Sequence, residues 1–481
     1  MKKFLIAAIL SMALFSSFAQ TMPIIKIYSK SKNNDFVTKP VSEVVTKMRK
    51  TWGDIRNDPA PYNEECTITV FNEKNQKTHD SVSAKVKVRG NWTTSYDKKP
   101  LRIRFTEKQP LLGMNNGQKN KDWLLLSEHK DWSYMRDPTA LSFAKMISPL
   151  YASDTKLAEV YINDEYWGVY VVAELQEVCN DRVNITEPAK KYKGTDIGYL
   201  MEFDAYYIYE EKNVFTIDYC GPVKDFNGKV AQDLNPGYTI KSKITNKSQN
   251  KFISSYMNNL WKICYEAVYN NNFLEFDANN SKLVKSNATN IYDCVSKVVD
   301  IDSLIDAYII AEVTCDPDIY HSSFYLSLDM GPEGSKKLRF EAPWDFDSTM
   351  GNKRHCIDGK GLYAGVLAYD YNFVEQKYAN PWLIIFTSQD WFQKAVKAKW
   401  RKISSQKCLA KLNANIDFVS KNYSKAFEQD QERWNHIGNS EDVKNELNEI
   451  SYSCKTQRQA ADYLKGWLTK RFAYLDSIWL K

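Results

Sequence analysis

Two acids separated by one aromatic residue stand in Pro343-Trp344-Asp345-Phe346-Asp347-Ser348-Thr349-Met350-Gly351, directly after a stretch with strand alternation. In an extended backbone alternate side chains share a face, so Asp345 and Asp347 are expected to point together while Phe346 enters the core. Two carboxylates held that close repel unless a cation such as Mg²⁺, Mn²⁺ or Ca²⁺, or a proton, lies between them. The plainer reading is a turn, because Asp at a strand end often caps one and here Ser-Thr and Gly follow. A second acidic stretch lies upstream, Cys315-Asp316-Pro317-Asp318-Ile319-Tyr320-His321-Ser322-Ser323. His321 and His355 have no partner motif and are read as incidental.

The elements that must position these stretches follow from periodicity. Residues 23–28, 66–71 and 84–89 alternate as strands, Val86 and Val88 on one face. The chain returns at 101–105 with Leu101, Ile103 and Phe105 inward and Arg102 and Arg104 on the opposite face. That is a hairpin with a long tip and a basic face, the kind that covers a nucleotide's phosphates or simply meets water. Residues 123–127 form an apolar strand, and a helix opens over 131–136 and runs to about 147. A second hairpin joins 157–162 to 167–173, and 197–203 is a further strand. In Trp167-Gly168 the glycine is read as a packing device that permits a close turn.

From Lys251 the period changes to that of an amphipathic helix through Ile253, Met257, Leu260 and Cys264. A second helix, capped by Asp302 or Ser303, runs to about 313. A short hairpin over 323–328 and 337–340 then delivers Asp345-Phe346-Asp347, and beyond it the chain reads as entirely helical. The fold class is α+β, a β-rich first part and a helical second part joined without a linker, two lobes sharing one cleft.

Composition narrows the function. Lys2-Lys3, an apolar run to Phe15 and Ser17-Phe18-Ala19 read as a signal peptide over 1–19, so an exported protein, periplasmic, envelope-bound or secreted, is expected. Later apolar runs are too short to span a membrane. A net charge of +6 with acids interspersed gives nucleic-acid binding little support. The nine cysteines include no CxxC pair, which excludes a zinc ribbon. Cys264 and Cys294, in one helical-looking region, are the pair expected if a disulfide forms.

An apolar helix, an acidic loop, a hairpin and a D-F-x acid is also the order of parts in a protein-kinase catalytic centre. There an Asp that orients the substrate hydroxyl lies five residues before a metal ligand. Asp318 and Ser323 have that spacing, although H-R-D, a Walker loop and G-x-G-x-x-G are missing. Five blocks in order resemble the spore-coat protein H (CotH) kinase family, whose members have an atypical protein-kinase-like fold. They are Val88-Arg89-Gly90-Asn91 with Lys98-Lys99-Pro100 and residues 101–105; Asp122 to Leu126 with Asp131 to Arg136; and residues 160–163 with Tyr166 to Tyr170 and Glu174. The last two are Asp318 with Phe324-Tyr325, then Trp344 to Asp347 and Gly351; and Asn380-Pro381-Trp382 with Asp390 and Phe392.

The resemblance implies ATP- and Mg²⁺- (or Mn²⁺-) dependent phosphorylation of Ser or Thr in exported proteins. On it, Asp318 is the catalytic Asp with Asp316 as alternative, Asp345 and Asp347 are metal acids, and Ser323 stands at the second ligand position, where Asn is common in the family. Lys99, Arg102, Arg104 and, less directly, Arg89 would meet phosphate, and Glu174 would lie near the adenine. The implied organisation is a β-rich extension over 20–80, an N-lobe and hinge over 81–250, and a helical C-lobe over 251–481 carrying the catalytic loop (314–351). The alternative is a non-catalytic surface or adhesion protein of the same fold, or a Ca²⁺ clip built from the acids.

Overall fold

Alternation in the first part of the chain resolves, in the computed structural model, into one closed sheet. Residues 21–210, 212–369 and 375–481 are described; the signal-peptide stretch 1–19 lies outside them. Strand β1 (Ile24–Ser29) is followed by helices α1 (Asp35–Thr38) and α2 (Glu43–Thr51), then β2 (Glu64–Phe71), β3 (Lys77–Val88), β4 (Leu101–Gln109) and β5 (Asn120–Leu126). Helix α3 (Arg136–Ile147) precedes the hairpin β6 (Thr155–Ile162) and β7 (Glu165–Glu174). The seven strands close into a barrel in the order β1-β2-β3-β4-β5-β7-β6. Its β1–β6 seam is parallel.

Closure gives every strand two partners and leaves no open edge. The boundary drawn at residue 80 falls inside β3, and β1 and β2 belong to the same barrel as the strands that follow. Pairing between distant strands leaves no local mark in a sequence. The period-2 reading of the basic hairpin holds: Val88 pairs with Leu101, Leu101, Ile103 and Phe105 fill the barrel, and Arg102 and Arg104 face outward. Strand β5 is apolar on both faces because Trp123 and Leu125 enter the barrel while Leu124 and Leu126 pack with Phe143, Ala144 and Ile147.

The second part is built on a five-stranded sheet, order β14-β13-β8-β10-β9. In chain order come β8 (Gly198–Phe203), β9 (Val214–Thr216), β10 (Gly237–Ile240), α4 (Lys247–Asn270), the hairpin β11 (Leu274–Phe276) and β12 (Leu283–Lys285), and α5 (Ile291–Val295). Helix α6 (Ile301–Thr314), β13 (Phe324–Asp329) and β14 (Arg339–Phe340) lead to the acidic segments. Asp300 caps α6, accepting from the Ser303 N–H at 3.1 Å, two residues before the first expected cap. The region after Gly351 is not entirely helical: the hairpin β15 (Ala368–Tyr369) and β16 (Gln376–Tyr378) precedes α7 (Pro381–Ile384), α8 (Asp390–Ile403), α9 (Ser405–Asn422), α10 (Ser424–Trp434), α11 (Glu449–Ser453) and α12 (Gln457–Trp479). These two-residue and three-residue strands are too short to show a period.

A buried ion pair fastens α10 to the barrel. Lys98 Nζ lies 2.7 Å from Asp430 Oδ1 and donates to the Val169 carbonyl at 2.7 Å, both side chains being sealed from water. Asp430 also accepts from the Val169 N–H at 2.7 Å and from the Tyr134 hydroxyl. Gly168, at φ +122, lets the backbone come this close: a Cβ there would run into Asp430 Oδ1 and Trp434 Nε1. Removing one member strands the other charge in the interior. Lys98→Met is therefore expected to lower the unfolding free energy by about 3–5 kcal/mol, measured by chemical denaturation, and Lys98→Met/Asp430→Leu to recover much of it. A single variant as stable as wild type would refute this role.

Candidate active site

Several segments meet around a cavity of about 750 Å³, among them the β3–β4 hairpin tip, the loop after β5, the end of β8, the loop leading into β13, and the stretch after β14. Arg89, Lys130, Glu202, Asp318, Ser323, Asp345 and Asp347 all line it. The two acids do not reach it by strand alternation. The chain has left β14 by Phe340, and Asp345 takes a left-handed backbone, φ +70. A turn brings Asp345 and Asp347 to one cavity while Phe346 is buried, 2% exposed.

Each acid has a partner. Ser323, also left-handed at φ +62, donates its hydroxyl to Asp345 Oδ2 at 3.1 Å and its N–H to Glu202 Oε1 at 2.9 Å. Pairing of β13 with β8, which sets Tyr325 opposite Glu202, explains that contact. The other oxygen of Glu202 holds Lys241 at 2.6 Å. Asp347 Oδ1 is 3.1 Å from Lys130 Nζ, and both side chains are about a tenth exposed, 11% and 9%. Burial works against the Lys130 charge, yet Asp347 and its acidic neighbours push its pKa well above the usual lysine value. Arg89 lies over the Trp344 ring, 5.6 Å from its centre.

The two acids of the upstream loop separate. Asp318 faces the cavity, whereas Asp316 is buried and accepts the Asp318 N–H on Oδ1 at 2.9 Å. Asp316 thus fixes the backbone from which Asp318 projects.

The structure does not bring Lys99, Arg102, Arg104 or Glu174 to this cavity. Lys99 is buried and turns back to the Thr94 carbonyl. Arg102 and Arg104, on the outer barrel face, share Asp122 at 2.8 and 3.1 Å. Glu174 accepts from the Asp154 N–H at 2.9 Å and sits 3.4 Å from Arg182. Outward alternation selects a face of the barrel wall, whereas the cavity is lined by the hairpin tip and by the loop after β5.

Sequence reasoning misses Lys130 and Glu128. The signal was the polar run Ser127 to Asp131 wedged between an apolar strand and an apolar helix. Its geometry is set by Asp131, which accepts from the N–H groups of Ser133, Met135 and Arg136 at 3.0, 3.0 and 2.7 Å. The helix therefore starts at Arg136, and Arg136 Nε reaches the Thr349 carbonyl at 3.0 Å. Asp137 Oδ1 accepts the Phe346 N–H at 2.9 Å. Burial, then Asp347 and Asp345, push the Asp137 carboxyl far up; burial, then Asp137 and Asp131, do the same to Glu128, whose two buried oxygens have no hydrogen-bond partner among the described residues. Burial and like charge thus both favour the neutral form of each carboxyl.

Crowding leaves its mark on Asp345, whose carboxyl is pushed up to about 7 by burial, Asp347 and Asp318, against Lys130 and Arg89. Among the described residues no three His, Cys, Asp or Glu side chains form a complete protein-only metal cage. The donors present suit a cation of the Mg²⁺ type, which binds through one or two carboxylates and takes its other oxygens from substrate and water. Asp345 and Asp347, with the Ser323 hydroxyl beside them, are the groups that would hold it.

An unfolded chain releases the Asp345 proton near 3.8 and the folded chain near 7. The folded state is the one that keeps the proton between those values, so this group costs stability as pH rises from 4 to 7 and no further above that. Asp345→Asn keeps an acceptor for Ser323 and removes the titration. Its melting temperature relative to wild type, without added metal, is expected to rise between pH 5 and pH 8. A difference that does not change with pH would contradict the crowding described.

No curated protein matches the chain. The profile of the family described as CotH kinase protein matches residues 86–475, from β3 through both acidic segments and most of α12. With more than three quarters of its length inside that match, and the matched part containing every cavity-lining acid named above, the chain belongs to the CotH kinase family.

Proposed function

We propose that this chain is an atypical protein kinase, two-lobed and kinase-like in plan, that transfers the γ-phosphate of ATP to Ser or Thr of exported proteins. The observation that carries the reading is the convergence of Asp318, Asp345 and Asp347 on one cavity that Lys130 and Arg89 also line. Bound Mg²⁺ or Mn²⁺ would supply neutralisation of the charge on the phosphates. Asp345 and Asp347 hold that cation. Asp318 accepts a hydrogen bond from the acceptor hydroxyl and orients its oxygen for in-line attack, with Asp316 steadying it from behind. Lys130 and Arg89 take the phosphate-facing role first given to the outer basic face, because they reach the cavity and are fixed by Asp347 and Trp344. Ser323 offers a neutral oxygen beside Asp345. Given the leader-like N-terminus, the acceptors are exported proteins, met before or during export while ATP is at hand.

A non-catalytic binding protein of the same fold is the second reading. It is favoured by one observation: Ser323 satisfies Asp345 and Lys130 satisfies Asp347 within the protein itself.

Purified protein incubated with γ-labelled ATP and Mg²⁺ or Mn²⁺ distinguishes them. Asp318→Ala is expected to lose about 10²-fold or more of the transfer while ATP still raises the melting temperature. Asp347→Ala loses both responses. Lys130→Ala falls well below wild type, whereas Arg104→Ala stays within about twofold, its ion pair being half exposed. No label on any acceptor, with no ATP-dependent stabilisation, would sink the kinase reading; stabilisation without transfer would favour the binding protein.

A further inference from the structure

Cys315 and Cys356 carry free thiols whose sulfurs are 2.9 Å apart, inside ordinary contact distance. Cys315 ends α6 in a left-handed conformation, φ +48, immediately before Asp316. Cys356 lies five residues past Gly351, in a segment held against α12 by the Trp467 indole, which donates to the Cys356 carbonyl at 2.8 Å. The same segment is clamped by Arg471, whose Nη1 donates to Gly361 O at 2.6 Å and whose Nε donates to Glu312 O, at the end of α6, at 2.8 Å. One buried arginine thus sets both cysteine-bearing backbones. The sulfurs need approach by only about 1 Å to reach bonding distance. The pair expected from sequence, Cys264 and Cys294, has no such contact: both are buried free thiols, and Cys294 Sγ donates to the Leu274 carbonyl at 3.3 Å.

We propose that Cys315 and Cys356 form a disulfide site that staples the two acidic segments together. The bond would close a loop containing Asp316, Asp318, Ser323, Asp345 and Asp347, so one cross-link spans the whole acidic constellation. The oxidant is a small-molecule or protein disulfide. Cys356 is the partly exposed member, and its hydrogen bond from Cys315 lowers its thiol pKa. Its thiolate attacks one sulfur of the oxidant, forming a mixed disulfide and expelling one thiolate. Cys315 then loses its proton, attacks Cys356 Sγ and expels the second thiolate. Two protein thiols are oxidised by two electrons, and one disulfide is reduced to two thiols. The bond forms whether or not the chain transfers phosphate.

The test uses the full chain equilibrated with oxidised glutathione, alkylated under denaturing conditions and digested without reductant. Cys315 and Cys356 are expected in one cross-linked peptide pair that reductant separates. Reductant should also lower the melting temperature of the oxidised wild type by roughly 3–5 °C, the size expected for opening a loop of this length in a chain of this size, and leave Cys356→Ser unmoved. Recovery of both cysteines as separately alkylated peptides, glutathione carried by Cys356 alone, or a Cys264–Cys294 cross-link in their place would overturn the proposal. Phosphate transfer is not read in this experiment, so its failure is distinct from failure of the kinase reading.

Discussion

Negative charge crowded into one cavity with largely buried walls is the constraint on which the site depends. Glu128, Asp137, Asp318, Asp345 and Asp347 share one cavity, with Lys130 as the lysine seated among them on Asp347. Water cannot screen charges there as it does at a surface, so each carboxyl must find a proton, a hydrogen bond or a cation. Three answers coexist. Asp347 has Lys130, Asp345 has the Ser323 hydroxyl and a carboxyl pushed up to about 7, and burial beside like charges pushes Glu128 and Asp137 toward their neutral forms. Such an arrangement is costly for folding and well suited to attracting positive charge, which is the mark of a site shaped for something other than stability.

Holding that cluster together takes rigid supports on every side. The barrel is filled with branched and aromatic side chains and carries the loop of Lys130 at the end of β5. A separate, larger core unites β8, β13 and helices α3, α4, α6, α8, α9 and α12. Buried polar contacts then fix how these elements meet. Lys98 and Asp430 tie the barrel hairpin to α10, Arg136 ties α3 to the Thr349 carbonyl, and Arg471 ties α12 to Glu312 at the root of the acidic loop. Each is an ion pair or charge-assisted hydrogen bond with little or no solvent. It is expensive to break and directional, qualities that apolar packing lacks.

Gly351 serves the same end by absence of a side chain. At φ +73 it packs where a Cβ would meet the Trp467 ring, and its carbonyl accepts the Tyr463 hydroxyl at 2.9 Å. The acidic segment is thereby pressed onto α12 one turn after Asp347. The glycine that ends the motif reflects this close approach, as Gly168 does at Asp430.

What the sequence determined by itself is local. Period-2 patterns placed the faces of β3 and β4, the hairpin of β6 and β7 was legible as two strands, and the helical period of α4 and α6 emerged within a few residues of their ends, because all depend on neighbours along the chain. It also singled out Asp318, Asp345, Asp347 and Ser323 as candidates, through the order of parts around them and the family resemblance rather than through spacing alone. Tertiary structure alone decided that seven strands close into a barrel and that Asp345 arrives through a left-handed turn. It decided too that Lys130, not the conspicuous Lys99, Arg102 and Arg104, faces the acids. Those outcomes depend on contacts between residues far apart in the chain, which leave no local period to read.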